Sequence, residues 1–185
     1  MTPFSDLMAR LAGDDAADAV ARLVDAGPAV VEPLLAALGS PSDTVRAHAA
    51  DALGEIGDPR AALPLAQTLR DPAPAVRISA ALALGEMADA HAVPALVDAL
   101  ADGDGAVRGA CVVALGQIGS AEAMVPLLTA LADTDGPVRG AAAWALGKLG
   151  DRCAVLPLRA LLDDPHPDAR DAAAEALTRL ERQRG

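Results

Sequence analysis

Side chains able to do chemistry are few in this sequence, and their spacing argues against most kinds of it. Three histidines, His48, His91 and His166, are scattered along the chain, and none neighbours a glutamate. The string "DDPHPDAR" (163–170) gathers Asp163, Asp164, His166 and Asp168, residue types that ligate divalent metals. The same prolines and aspartates are also what a turn and a helix N-terminus demand, and turn and cap chemistry is the expectation. "DGDG" (102–105) and "DTDG" (133–136) echo the start of a calcium loop but lack its later ligands and bidentate glutamate. Cys111 and Cys153 are too few and too far apart for a disulfide framework or a four-thiolate zinc site. No Ser-His-Asp grouping or phosphate-binding glycine loop stands out. No catalytic residue, metal or cofactor is expected.

Recognition is the chemistry left, and Trp144 is its first candidate. It is the sole tryptophan of a chain with no tyrosine and one phenylalanine, and it sits among small residues in "GAAAWALGKLG" (140–150). Such a ring either seals a stack of helices, since tryptophan is usually largely buried, or anchors a partner. The choice depends on the elements that position it.

Those elements repeat. Val45-Arg46, Val76-Arg77, Val107-Arg108 and Val138-Arg139 recur every 31 residues, with a worn copy at Ala169-Arg170. Leu53, Leu84, Leu115, Leu146 and Leu177 keep the same step, as do Pro33, Pro64, Pro126 and Pro157, with Pro94 slipped by one. A period of this size means stacked supersecondary units. Val45, Ala49, Ala52, Leu53 and Ile56 mark one face of a helix rather than a strand. "GDPRAALPLAQTLRD" (57–71) reads as a preceding helix, with Asp58 as N-cap, Pro59 at the first helical position and a bend at Pro64. Each unit is therefore a helical hairpin. Gly54, Gly85, Gly116 and Gly147 fall inside the second helix, where glycine costs roughly 0.5–1 kcal/mol relative to alanine. A neighbouring backbone is expected to pass close there. Arginine near a helix N-terminus opposes the helix dipole. Its recurrence six residues after Asp71, Asp102, Asp133 and Asp164 predicts ladders of ion pairs between units.

At this point the columns resemble a known pattern. "DPAPAVRISAALALGEMAD" and "DGPVRGAAAWALGKLGD" are similar to HEAT-like repeats of the phycobilisome-lyase type, with Asp, Val-Arg, Ala-Leu-Gly and Pro in sequence. The resemblance implies an all-α, right-handed α-solenoid of about six hairpins whose second helices line a concave face. The units run about 1–26, 27–57, 58–88, 89–119, 120–150 and 151–182, with polar capping units at both ends. It implies a binding scaffold, with bilin-lyase subunits, deoxyhypusine hydroxylase and some DNA glycosylases as catalytic relatives. The hydroxylase's iron is held by His-Glu dyads that this chain lacks.

On that face the columns five and nine residues after the arginine differ most between units. The first reads Asp51, Leu82, Val113, Trp144, Glu175; the second reads Glu55, Glu86, Gln117, Lys148, Arg179. Ile78 adds to the apolar middle, while Gly109, Ala110, Gly140 and Ala141 leave room beside it. An apolar patch rimmed by charge marks an interaction site. The expected partner is a protein or peptide laid along Ile78, Leu82, Val113 and Trp144, oriented by Asp51, Glu55, Glu86, Gln117, Lys148 and Glu175. Self-association through the same patch would make a homodimer. A bilin-lyase-like subunit or chaperone, or a synthetic repeat scaffold, are the alternative readings. The scarcity of aromatics weighs against a tetrapyrrole site. With 26 acidic against 15 basic residues, the net charge of −11 repels nucleic acid. No apolar run approaches the roughly 20 residues needed to span a bilayer, and the start does not read as a signal peptide. A cytoplasmic protein is expected.

Overall fold

The computed structural model describes residues 4–13 and 15–182. Among them there is no strand. The first residues of the opening unit and Asp14 in its "DDAADAV" stretch lie outside the described residues.

The chain divides into two compact units, Met1–Ala92 and Val93–Gly185. The first holds α1 (Ser5–Arg10), α2 (Ala16–Ala26), α3 (Val31–Ala37), α4 (Asp43–Ile56), α5 (Ala62–Thr68) and α6 (Pro74–Met87). The second holds α7 (Val93–Ala99), α8 (Gly105–Ile118), α9 (Met124–Ala130), α10 (Gly136–Leu149), α11 (Val155–Ala160) and α12 (Pro167–Arg182). Within the first unit α3 packs on α4 and α5 on α6, while α2, α4 and α6 stack in sequence. Within the second, α7, α9 and α11 pack on α8, α10 and α12, and those three longer helices stack in turn. Hairpins stacked on hairpins make an all-α solenoid.

Two leucine columns form the core. Leu34, Leu65, Leu96, Leu127 and Leu158 come from the short helices, and Leu53, Leu84, Leu115 and Leu146 from the long ones; all are fully buried. Alanines such as Ala49, Ala80 and Ala142 fill the space between, with Cys111 as their equivalent in α8. Small residues there let the long helices approach closely. A Cβ built on Gly54 would lie 2.6 Å from the Cα of Ala83, and one on Gly147 would lie 2.9 Å from the Cα of Ala176. The recurring glycine thus answers to the backbone of the next long helix. In the last unit Thr178 takes this place and is exposed, its hydroxyl donating to the carbonyl of Ala174 at 2.9 Å.

The first helix of each hairpin differs from the single bent helix expected over 57–71. It opens as a 3-10 turn, Pro59–Ala61, with Asp58 accepting from the amide of Arg60 at 3.0 Å, and only then becomes the seven-residue α5. Pro64 therefore stands in the first turn of α5, where its missing N–H removes no established helical bond. Ser120 and Asp151 cap the equivalent turns before α9 and α11.

The predicted ladders are present, with a geometry that the sequence spacing does not reveal. Arg46 donates from Nε and Nη2 to both carboxylate oxygens of Asp71 at 2.7 and 2.8 Å. Arg108 does the same to Asp133, and Arg139 to Asp164. The carboxylate comes from 25 residues downstream, in the next turn. The residue six positions upstream, Ser40 for Arg46 and an aspartate for Arg108 and Arg139, offers the guanidinium its main-chain carbonyl, as where Arg108 Nη1 donates to Asp102 at 2.9 Å. Each aspartate also accepts from the amide two residues on, Asp133 from Asp135 at 2.8 Å and Asp164 from His166 at 2.8 Å. One guanidinium thus ties its own turn to the next. The arginine holds the Asp164 carboxyl down at about 2, and the carboxyls of Asp71 and Asp133 below their ordinary range for the same reason.

Candidate protein-interaction face

The long helices turn one side to the core and leave another unpacked. In the first unit that side carries Asp51 and Glu55 on α4 and Ile78, Leu82 and Glu86 on α6. Leu82 is 37% exposed, an uncommon state for leucine in this chain. Ile78 and Asp51 are half-buried, and Glu55 and Glu86 are exposed. Together with Val20 of α2 and His48, the side chains Asp51, Glu55, Leu82 and Glu86 line a cleft of about 380 Å³. His48 is fixed in its wall by donating from Nδ1 to the carbonyl of Leu11 at 2.8 Å. Burial pushes the Asp51 carboxyl up, and burial followed by the charges of Glu55 and Asp51 pushes Glu86 up.

In the second unit the corresponding side carries Val113 and Gln117 on α8, Trp144 and Lys148 on α10, and Glu175 on α12. Val113 is half-buried, while Gln117, Lys148 and Glu175 are exposed. Trp144 is half-buried as well. Its ring leans on α8 where Gly116 leaves space: a Cβ on Gly116 would lie 2.8 Å from Cζ3 of Trp144. Above the ring stands the Lys148 ammonium, 5.1 Å from the centroid, within reach of a cation–π attraction. The small-residue setting of the tryptophan is thus a seat for a ring that is neither fully buried nor free. Ile78 and Leu82 belong to the first unit and Val113 and Trp144 to the second, so the structure brings the expected site residues together as two sets.

Sequence reasoning missed exposed apolar side chains on the short helices of each unit. Leu63, Val125 and Leu156 on the short helices are 69%, 70% and 77% exposed. Beside Val125, a groove of about 770 Å³ runs between α7 and α9, with Val97, Leu100 and Pro126 in its walls and the Arg108–Asp133 pair among its lining residues. The signal was available, since each of these exposed residues immediately precedes a proline of the repeating column.

The candidate catalytic clusters do not assemble. Among the described residues no group of three or more His, Cys, Asp or Glu side chains is arranged to hold a metal ion. His166 lies over Gly136 with Nδ1 4.0 Å from Asp168, and His91 is exposed and pairs with Asp89. Cys111 is buried and Cys153 exposed. No described helix is long and apolar enough to cross a membrane.

The model of HEAT repeats matches residues 7–67, 62–137 and 124–184 in tandem. The chain belongs to the HEAT repeat family. Among solved structures, this HEAT chain is similar to an engineered protein from a structural genomics consortium, at 26% identity over 97% of this chain and 89% of that one, with a TM-score of 0.66. It is also similar to a designed armadillo repeat protein in complex with the peptide (KR)4, at 20% identity over 97% and 100% of the two chains, with a TM-score of 0.64. A third likeness is to the S. pombe condensin Cnd3–Cnd2 subcomplex, at 19% identity and a TM-score of 0.74, covering 94% of this chain and 27% of that one. The latter two show the shared fold. No curated protein matches the sequence.

Proposed function

We propose that this HEAT repeat protein is a non-enzymatic scaffold that binds a protein or peptide segment along the exposed sides of its second helices. The observation that carries the reading is the contrast within one kind of helix. Columns facing the core repeat leucine and alanine almost unchanged, whereas Asp51, Leu82, Val113, Trp144 and Glu175 hold one position with five different side chains. Packing demands the first pattern and does not explain the second. The motif columns support a place in the phycobilisome-lyase type of these repeats, but the described side chains supply no aromatic-lined pocket for a pigment.

The test is selection from a random dodecapeptide display library on the immobilised protein and on a Leu82→Ser/Trp144→Ala variant. Binders that survive on the wild type and are lost on the variant support the reading. A library that yields no binder, or one whose binders ignore both substitutions, overturns it. The concentration dependence of Trp144 fluorescence separates self-association from binding of a foreign segment: acrylamide quenching that falls as the protein is concentrated would make the partner a second copy.

A further inference from the structure

We infer that the cleft between α2, α4 and α6 recognises a lysine or arginine side chain of the partner segment, flanked there by an apolar residue; this rests on the scaffold reading above. Several acidic side chains elsewhere in the first unit are paired with a base: Asp71 with Arg46, Asp58 with Arg60, and Asp18 with Arg10. Asp51, Glu55 and Glu86 face one cleft; Asp51 accepts a hydrogen bond from Ser79 and has His48 nearby, and among the described residues no ion pair joins an arginine or lysine to any of the three. Glu86 reaches in from α6 far enough that its Oε2 would lie 3.0 Å from a Cβ on Gly54 of α4. Like charges held this close cost energy that an incoming cation would relieve. The charge pattern is therefore complementary to a cation, and the shape narrows which one.

A volume of about 380 Å³ is far more than a bare ion occupies, and the walls include Val20 and Leu82. Lysine and arginine lay an apolar stem along such walls and deliver the charge at its end. Carboxylates on two successive helices, Glu55 on α4 and Glu86 on α6, suit the forked donors of a guanidinium. Leu82, exposed at the margin, offers contact for the apolar neighbour.

The experiment uses the full chain and an Asp51→Asn/Glu55→Gln/Glu86→Gln variant against the same random dodecapeptide library. Because the substitutions relieve the repulsion among the three acids, and Asp51→Asn keeps an amide oxygen that can accept from Ser79, the variant is expected to melt close to the wild-type temperature by circular dichroism. Wild-type binders are expected to be enriched in Lys or Arg beside an apolar residue, and the enrichment is expected to vanish on the variant. Replacing the basic residue of a selected peptide by citrulline or norleucine is expected to weaken binding about tenfold to the wild type and to leave binding to the variant unchanged. Binders without basic enrichment, or an equal loss on wild type and variant, overturn this inference while the scaffold reading stands. No binders at all overturn both. Calcium chloride that displaces the peptide at constant ionic strength would make the cleft a metal site and also overturn it.

Discussion

At the level of single residues, the glycines inside the long helices separate into two kinds that look alike in sequence. Gly54 and Gly116 lie against the next long helix, where an added Cβ would come within 2.6 Å of Ala83 Cα and 2.7 Å of Ala145 Cβ respectively. Gly109, also inside a helix, has only Val138 Cγ2 at 3.9 Å. Gly54→Ala is therefore expected to destabilise by about 1–3 kcal/mol through overpacking, and Gly109→Ala to stabilise by about 0.5–1 kcal/mol through helix propensity. Urea titrations of both variants check the pair. The two core and surface extremes are expected to differ likewise. Leu115→Ala opens a cavity in a fully buried site and is expected to cost about 2–5 kcal/mol. Trp144→Ala, at a half-buried ring, is expected to cost less. Equal losses in urea would mean the ring is part of the core. What the sequence could not say at this scale is how a side chain lies. The repeat marks the column of Trp144 but not its lean onto Gly116, because that depends on a residue 28 positions earlier in another helix.

At the level of elements, the ladder and the caps carry the strongest predictions. Asp164 is held at about 2 by Arg139, against an ordinary carboxylate value near 3.9. A depressed folded-state value contributes stability above about pH 4, which is lost as the pH falls toward about 2. Asp164→Asn is accordingly expected to be less stable than wild type at pH 7, with the gap closing between about pH 4 and 2 in thermal melts. A gap that stays constant across that window would show the ion pair to be inert. The helix ends offer a second test. Gly57, Gly119 and Gly150 end α4, α8 and α10 in the left-handed region, and Ala88 does the same for α6 with φ 52°. Ala88→Gly is expected to relieve that strain and raise stability by up to about 1 kcal/mol. The helix type, the hairpin and the turns were legible in the period, the glycines and the aspartates. The 3-10 openings were not, because Pro59 and Asp58 suit the first turn of either helix. The exposed column of Leu63, Val125 and Leu156 had only its place before the repeating proline to mark it, since short helices give too few turns for their periodicity to declare an outer side.

At the level of the whole molecule, stability comes from neighbours. In the second unit, α10 buries Ala143 and Leu146 and packs against α12. Truncation after Leu149 would uncover that side, and the shortened chain is expected to self-associate at micromolar concentration in light scattering while the full chain does not. The sequence carried this scale best, since a 31-residue step announces a solenoid without any knowledge of side-chain pose. It carried the partner's identity least, because the columns that would meet it are those freed from the repeat.

The guanidinium that joins a carbonyl six residues behind to a carboxylate 25 residues ahead also acts as a gauge of length. The two reaches sum to one period, so duplicating or excising one whole period, such as 120–150, leaves every clasp with a partner of the right kind. A change of any other size between Arg108 and Asp133 leaves a buried-side arginine facing the wrong turn. Growth and shrinkage of this chain are thereby quantised: whole-period duplications are expected to fold and to melt at or above the parent temperature, and half-period insertions to fail.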